Sequence, residues 1–105
     1  NLSRATPGQL IYQQNCQACH GEKGRGDGPG AASLPVKPFD LTTHFFQHDE
    51  QYHFQTILNG RGYMPAFGPR LSQDQIVDVV AYVRLLAQQA RQQGGSGAPG
   101  FTPQP

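Results

Sequence analysis

The chain has 105 residues, 36% of them hydrophobic, and its eight Lys and Arg against seven Asp and Glu give a formal net charge of +1. This length is that of one domain, and the near-neutral balance argues against nucleic acid as a partner. No run of about 18 apolar residues occurs, so the sequence predicts no membrane span. Thirteen Gly and nine Pro leave little material for a core, and small domains short of core often contain a metal or cofactor.

Helical periodicity begins early in the chain. The first helical segment covers residues 7–19, with Pro7 near its first turn and apolar residues ahead of two cysteines. The second covers residues 49–59, with Asp49 as its N-cap and an Asn-Gly pair as its stop signal.

The third helix has the clearest pattern. Ser72-Gln73-Asp74-Gln75 predicts a capping box, and an apolar stripe follows it as far as residue 86 or 87, with the helix extending to about Gln92. Residues 21–46, between the first two helices, form a long Gly/Pro-rich loop of the kind that usually has a function or wraps around something. The sequence therefore predicts an all-α domain, residues 1–93, and a linker-like Gly/Pro-rich tail, residues 94–105.

The segment Cys16-Gln17-Ala18-Cys19-His20 is a C-x-x-C-H motif, the attachment sequence of c-type haem. Residues three apart share one face of a helix, so both thiols can reach the two vinyl groups of a haem. The following His20 can then ligate the iron through its imidazole. A covalent haem c would also compensate for the shortage of core.

Two other interpretations of the cysteines remain open at this point. A C-x-x-C pair also occurs in redox disulfides, but these need a βαβ setting that the helical pattern does not offer. It also forms half of a zinc site, for which His44, His48 or His53 would have to converge with the cysteines. None of these histidines has the usual zinc-finger spacing.

Met64 is the one methionine of the chain and the leading candidate for the sixth iron ligand. It lies in "NGRGYMPAFG", a loop between two helices, whereas a core methionine is expected on a helical stripe. A thioether is a soft ligand suited to haem iron, and Met/His ligation raises the reduction potential. His44, His48 and His53 are the alternative ligands.

The chain resembles the class I cytochromes c of the small bacterial kind over residues 5–92. Gly8 and Tyr12 match the first-helix glycine and aromatic of that family, and "VVAYVRLL", residues 79–86, matches its last helix with Tyr82 as the aromatic partner. "MPAFG", residues 64–68, resembles the methionine-ligand loop. The resemblance implies the class I fold, with three main helices and a long loop wrapped around one covalent haem. We expect Gly8 to permit a close helix crossing whose corner the two tyrosines fill.

The resemblance also implies further haem contacts. Family members use a proline carbonyl to accept a hydrogen bond from the iron-ligating histidine. Pro38 is the favoured acceptor because "PFDLT" resembles the short Pro-Asn-Leu stretch of the family, and Pro29 is the second candidate. The other expected haem contacts are Leu41, Arg61, Tyr63 and Phe67.

A haem with both axial positions filled suits outer-sphere electron transfer, so the sequence predicts a one-electron carrier and not an enzyme. Its expected partners are a redox donor and acceptor, such as a quinol-oxidising complex and a terminal oxidase or reductase. Bacterial family members acquire haem outside the cytoplasm, which implies a periplasmic protein, monomeric if free. Because the chain begins without Met, we expect a mature or excised form, and a membrane tether could lie outside the sequence.

Two alternatives have different consequences for the function. The chain could be the haem c domain of a larger oxidase, reductase or quinol-oxidising complex, or a haem enzyme or gas sensor with a displaceable sixth ligand.

Overall fold

The computed structural model describes residues 2–93, and the predicted tail, residues 94–105, lies outside the described residues. Its helices are α1 Leu2–Asn15, α2 Gln17–His20, α3 Leu41–His44, α4 Glu50–Asn59 and α5 Gln73–Gln92. Two short 3-10 helices, Pro29–Ser33 and Phe45–Gln47, lie within the long loop, and residues 2–93 contain no strand. The prediction of an all-α fold is confirmed.

Helix α1 differs from the predicted first helix at both ends. It begins at Leu2, so Pro7 lies inside it and not near its start. Contacts with α5 hold the preceding turn: Ala5 is buried, and Nε of Arg4 donates to Oδ1 of Asp78 at 2.7 Å. The helix ends at Asn15, and Cys16 forms a turn before the short helix α2.

Helices α4 and α5 begin directly after their predicted N-cap residues, Asp49 and Ser72. Asp49 accepts a hydrogen bond from the backbone N of Tyr52 at 2.9 Å. At α5, Oγ of Ser72 accepts from the backbone N of Gln75, and the side chain of Gln75 accepts from the backbone N of Ser72. This reciprocal pair is the predicted capping box.

Helices α1 and α5 cross in direct contact at Gly8. A Cβ atom built on Gly8 would lie 2.0 Å from the carbonyl oxygen of Asp78 and 3.1 Å from Cβ of Tyr82, so the crossing requires glycine. Tyr12 is fully buried beside it, with its ring centroid 5.2 Å from that of Tyr82. Both expectations for this crossing are confirmed.

The long loop is more ordered than its composition predicts, because polar contacts shape it locally. Asp40 caps α3 by accepting from the backbone N of Thr42 at 2.9 Å. The backbone N of Leu41 donates to the carbonyl of Gly24 at 2.6 Å, which joins the two ends of the loop. These hydrogen bonds hold the loop in place beside the core. Ile57 of α4 and Ile76 and Val79 of α5 are buried in that core.

Candidate functional site

The two cysteines and His20 stand around the single turn of α2. Cys16 is its N-cap residue, and its carbonyl accepts from the backbone N of Cys19 at 3.3 Å and of His20 at 2.9 Å. The following loop folds back onto this turn, since the backbone N of Gly28 donates to the carbonyl of Cys19 and that of Gly26 to the carbonyl of His20. The motif is thus held by backbone hydrogen bonds from both sides.

The backbone partner of the His20 ring differs from the predicted one. Nδ1 of His20 lies 3.3 Å from the carbonyl oxygen of Phe39, so neither Pro38 nor Pro29 is the acceptor. Gly26 allows this approach, because a Cβ on it would lie 2.6 Å from the carbonyl oxygen of Pro38 and 3.2 Å from that of Phe39. Its φ of 80° also favours glycine.

The shift by one residue has a simple explanation in the sequence. If Asp40-Leu41 is matched to the Asn-Leu pair of the Pro-Asn-Leu stretch, Phe39 occupies the proline position. The acceptor for the His20 ring is a backbone carbonyl. Every residue type has one, so this position does not require proline.

Met64 is presented by a short loop that folds against the end of α4. Its backbone N and O form two 2.9 Å hydrogen bonds with the O and N of Arg61. Beyond it, the backbone N of Phe67 donates to the carbonyl of Ile57 at 2.9 Å, and the Phe67 side chain is buried in the core. Phe67 therefore anchors the loop on which Met64 lies.

A mostly apolar cleft with a volume of about 80 Å³ lies between these loops and helices α4 and α5. His20 and Met64 both line it. The other lining residues come from α1, α3, α4, α5 and the segments that join them: Tyr12, Cys16, Phe39, Leu41, His44, Phe45, Tyr52, His53, Thr56, Ile57, Arg61, Val79, Val80 and Val83.

Half of the predicted haem contacts line this cleft, namely Cys16, His20, Leu41, Arg61 and Met64. The other five do not, and they surround it in different ways. Sγ of Cys19 lies near Gly30, and the side chain of Phe67 is buried in the core. Tyr63 is 61% exposed, and Pro29 and Pro38 belong to the loop that covers His20.

Phe39 and Tyr52 of the cleft were not predicted as haem contacts, and His44 and His53 were predicted only as alternative iron ligands. His44, Tyr52 and His53 line the cleft together with Phe39. The sequence contains a signal for His44 and Tyr52, because together with His48 they stand at every fourth position. Since the chain is extended at His48, that spacing does not belong to one continuous helix.

Burial shifts the pKa of Cys16, a candidate for a covalent bond to haem, and of His20, a candidate ligand of the iron. It raises the pKa of the Cys16 thiol to about 12, with a further contribution from Cys19. Burial lowers the pKa of His20, against a smaller opposing effect of the hydrogen bond to Phe39. His20 is therefore neutral at pH 7, with a ring nitrogen free to ligate a metal.

These protonation states favour haem attachment over the two other interpretations of the cysteines. A reactive redox cysteine is normally stabilised as a thiolate, which is the opposite of the effect at Cys16. Within residues 2–93, no three His, Cys, Asp or Glu side chains are grouped so as to hold a metal ion. The chemistry of the lining fits haem, because an imidazole and a thioether, which are both ligands of haem iron, lie in one apolar cleft.

The fold and the C-x-x-C-H motif beside this cleft define a c-type cytochrome. The chain belongs to the family of cbb3-type cytochrome c oxidase subunit III, whose model matches residues 3–83. Membership in the cytochrome c family implies one covalent haem c with its iron.

Similar proteins fall into two groups. Cbb3-type cytochrome c oxidase subunit FixP of Azorhizobium caulinodans is 38% identical, over 82% of this chain and 31% of its own length. Cytochrome c6 of Leptolyngbya boryana is 42% identical, over 75% of this chain and 88% of its own length. The chain thus spans about a third of the oxidase subunits that it matches.

Solved structures show the same division. A chain of the reducing HAO-like protein complex of Kuenenia stuttgartiensis superimposes with a TM-score of 0.75 at 33% identity, covering 84% of this chain and 46% of that one. Cytochrome c6 from the diatom Phaeodactylum tricornutum gives 0.63 at 28% identity, with 81% and 95% covered. No helix within residues 2–93 is long and apolar enough to cross a membrane.

Proposed function

We propose that this chain is a monohaem c-type cytochrome that carries single electrons between redox proteins of a bacterial respiratory chain. One observation supports it above the others: His20 and Met64, the two candidate axial ligands, line the same apolar cleft. With both axial positions filled, the iron has no site for a substrate, so we propose a carrier and not an enzyme.

The residues that would hold the cofactor form two pairs with different bonds. Cys16 and Cys19 would bind it covalently through thioether bonds, and the neutral ring of His20 and the sulfur of Met64 would ligate the iron. Haem c supplies, when bound, an iron that accepts and returns one electron. The carbonyl of Phe39 orients the His20 ring and strengthens it as a donor.

The rim of the cleft carries one cation without a carboxylate partner among the described residues. Arg61 donates through Nη1 to the hydroxyl of Tyr52, and its guanidinium lies 5.7 Å from the centre of that ring. Both side chains are thus positioned to bind a carboxylate of the cofactor at the cleft mouth.

Met64 is the residue that tests the carrier function. Met64→Leu keeps the volume of the side chain and removes only its sulfur. We expect this variant to lose the weak charge-transfer band of the ferric sulfur–iron bond, to have a lower midpoint potential and to bind CO. Gln88→Ala, at an exposed position on α5, is the control and should resemble the wild type.

The result for Met64→Leu also separates the alternatives. An unchanged band and potential would show that the ligand lies elsewhere, with His44, His48 and His53 as the next candidates. A high-spin wild-type haem that already binds CO would indicate an enzyme or gas sensor. An intact mass equal to the bare polypeptide under denaturing, reducing conditions would refute covalent haem altogether.

A second candidate function is that of a haem c domain within a larger complex. It is favoured by the coverage, because the chain matches 31% of the FixP subunit and 46% of the chain in the HAO-like complex. Both candidates imply redox partners and an extracytoplasmic location, where bacterial haem c is attached. Purification of the native protein from membrane and periplasmic fractions tests them, since a domain of a complex co-purifies with oxidase or reductase subunits.

A further inference from the structure

Three of the four histidines form a cluster at the cleft. The ring centroid of His44 lies 5.0 Å from that of His48 and 6.0 Å from that of His53, and those two are 6.2 Å apart. We call His44, His48 and His53 the histidine cluster. His44 and His53 line the same cleft as His20 and Met64, whereas His48 does not.

The surroundings of His44 contain positive or neutral groups. From α4 and the methionine loop it faces His53, Tyr52 and Arg61, and on its own segment it faces His48 and stacks on Phe39 at 4.3 Å. From α5, the valines at 79, 80 and 83 line the cleft, and from α1 and α2 the lining titratable groups are Tyr12, Cys16 and His20.

No carboxylate is hydrogen-bonded or ion-paired to the histidine cluster within the described residues. The nearest acidic residues along the chain have other partners: Asp40 caps α3, Asp49 caps α4, and Glu50 pairs with Arg84. Burial and the neighbouring His48, His53 and Arg61 lower the pKa of His44. The described residues therefore supply no carboxylate that would hold a proton on His44, and the charge of the bound cofactor, including a carboxylate at Arg61, contributes to its proton affinity.

We propose that the protein carries a proton together with its electron, and that His44 is the residue that binds it. When an electron from the donor protein arrives at the haem, the proton affinity of the His44 ring rises, and the ring takes up a proton from solvent in a fraction of the molecules. When the acceptor protein takes the electron, His44 returns that proton. This inference rests on the proposed function as a haem electron carrier.

The size of the effect follows from Coulomb's law. Reduction lowers the charge of the cofactor by one, and for two charges within the same cleft at an effective dielectric constant of about 20 the proton affinity would rise on the order of tenfold. Because the coupling is reciprocal, protonation favours the reduced protein by the same factor. His44 then has one pKa in the oxidised protein and a higher pKa in the reduced protein. As the pH rises through these two values, a tenfold factor lowers the midpoint potential of a one-electron couple by about 59 mV in total.

His44 is distinguished from the other members of the histidine cluster by its contacts. Nε2 of His53 lies 2.7 Å from the carbonyl of Phe45, and its ring stacks on Phe45 at 4.5 Å, so a backbone partner fixes one of its nitrogens. His48 is exposed, stacks on Tyr52 at 3.7 Å and does not line the cleft. His44 shares the cleft wall and the ring contacts to the other two histidines with His53, but its hydrogen-bond partner is the side chain of Gln47 and not a backbone carbonyl.

The test is the midpoint potential of the haem-loaded protein from pH 5 to 9, followed spectroscopically. We expect the wild type to show the fall, His44→Gln to remove most of it, and His48→Gln, a matched substitution outside the cleft wall, to keep most of it. Proton uptake on reduction, measured with an indicator dye in weakly buffered solution, should be a fraction of one proton per haem in the wild type and smaller in His44→Gln.

Each other result overturns the inference. A wild-type potential that is independent of pH refutes redox-linked proton binding, and a fall that persists in His44→Gln, or is lost equally in His48→Gln, refutes the assignment to His44. If His44→Gln does not fold, NMR titration of the wild type decides, because the pKa of His44 must be higher in the reduced than in the oxidised protein. Lack of covalent haem in these samples would instead refute the proposed function.

Discussion

Gly8→Ala is the sharpest test of how the two terminal helices meet. The new Cβ would lie 2.0 Å from the carbonyl oxygen of Asp78, where ordinary contact begins at 3.4 Å, so α1 and α5 would have to separate by about 1.4 Å. The neighbour is backbone, and no side-chain rotation relieves the clash. Overpacking of this kind costs about 1–3 kcal/mol or more, whereas alanine gains about 1 kcal/mol in helix propensity.

We expect the steric effect to exceed the propensity gain, because the separation also loosens the fully buried Tyr12, Ile76 and Val79 beside the crossing. The net loss in the free energy of unfolding should be about 2 kcal/mol. Urea denaturation followed by far-UV circular dichroism measures it. Gln13→Ala, at an exposed position of the same helix, is the control and should be neutral or slightly stabilising. Equal or greater stability of Gly8→Ala would refute the close crossing.

Three further predictions concern a cap, a buried hydroxyl and a buried imidazole. Ser72→Ala should lower the free energy of unfolding by about 1 kcal/mol in the same urea assay, because it removes the acceptor for the backbone N of Gln75. Tyr12→Phe should lower it by about 1 kcal/mol, since the hydroxyl donates to the carbonyl of Gly21 at 2.6 Å. The haem-free chain should lose stability as the pH falls below about 6.5, because burial lowers the pKa of His20 and the unfolded state then binds more protons than the folded state.

Each of these three expectations has a result that contradicts it. An unchanged urea midpoint in Ser72→Ala would show that the helix start does not depend on its cap, with Ser33→Ala as a control hydroxyl outside α5. In Tyr12→Phe, the carbonyl of Gly21 keeps its second partner, the backbone N of Gly24, so a loss of several kcal/mol would mean that the ring itself has moved. A free energy of unfolding that is constant between pH 7.5 and pH 5, above the range of most carboxyl groups, would contradict a buried neutral His20.

Much of the fold was predictable because its signals are local. A cap such as Ser72 or Asp49 bonds to a backbone N–H within three residues, so sequence spacing alone specifies the contact. The C-x-x-C-H motif is local in the same way and predicted covalent haem before any packing was known. Gly8, Tyr12 and Tyr82 were predictable only through the resemblance to a family, since their contacts join the two ends of the domain.

The tertiary structure decided what depends on distant parts of the chain. Helix α1 extends past Pro7 to Leu2 because contacts with α5 offset the local preference to begin later. The acceptor for His20 is the carbonyl of Phe39, since the loop after α2 brings that backbone group to the ring across 19 positions. The histidine cluster forms because α3 and α4 meet at the cleft. The spacing of these histidines along the sequence does not predict that contact, because it depends on how the chain folds between the two helices.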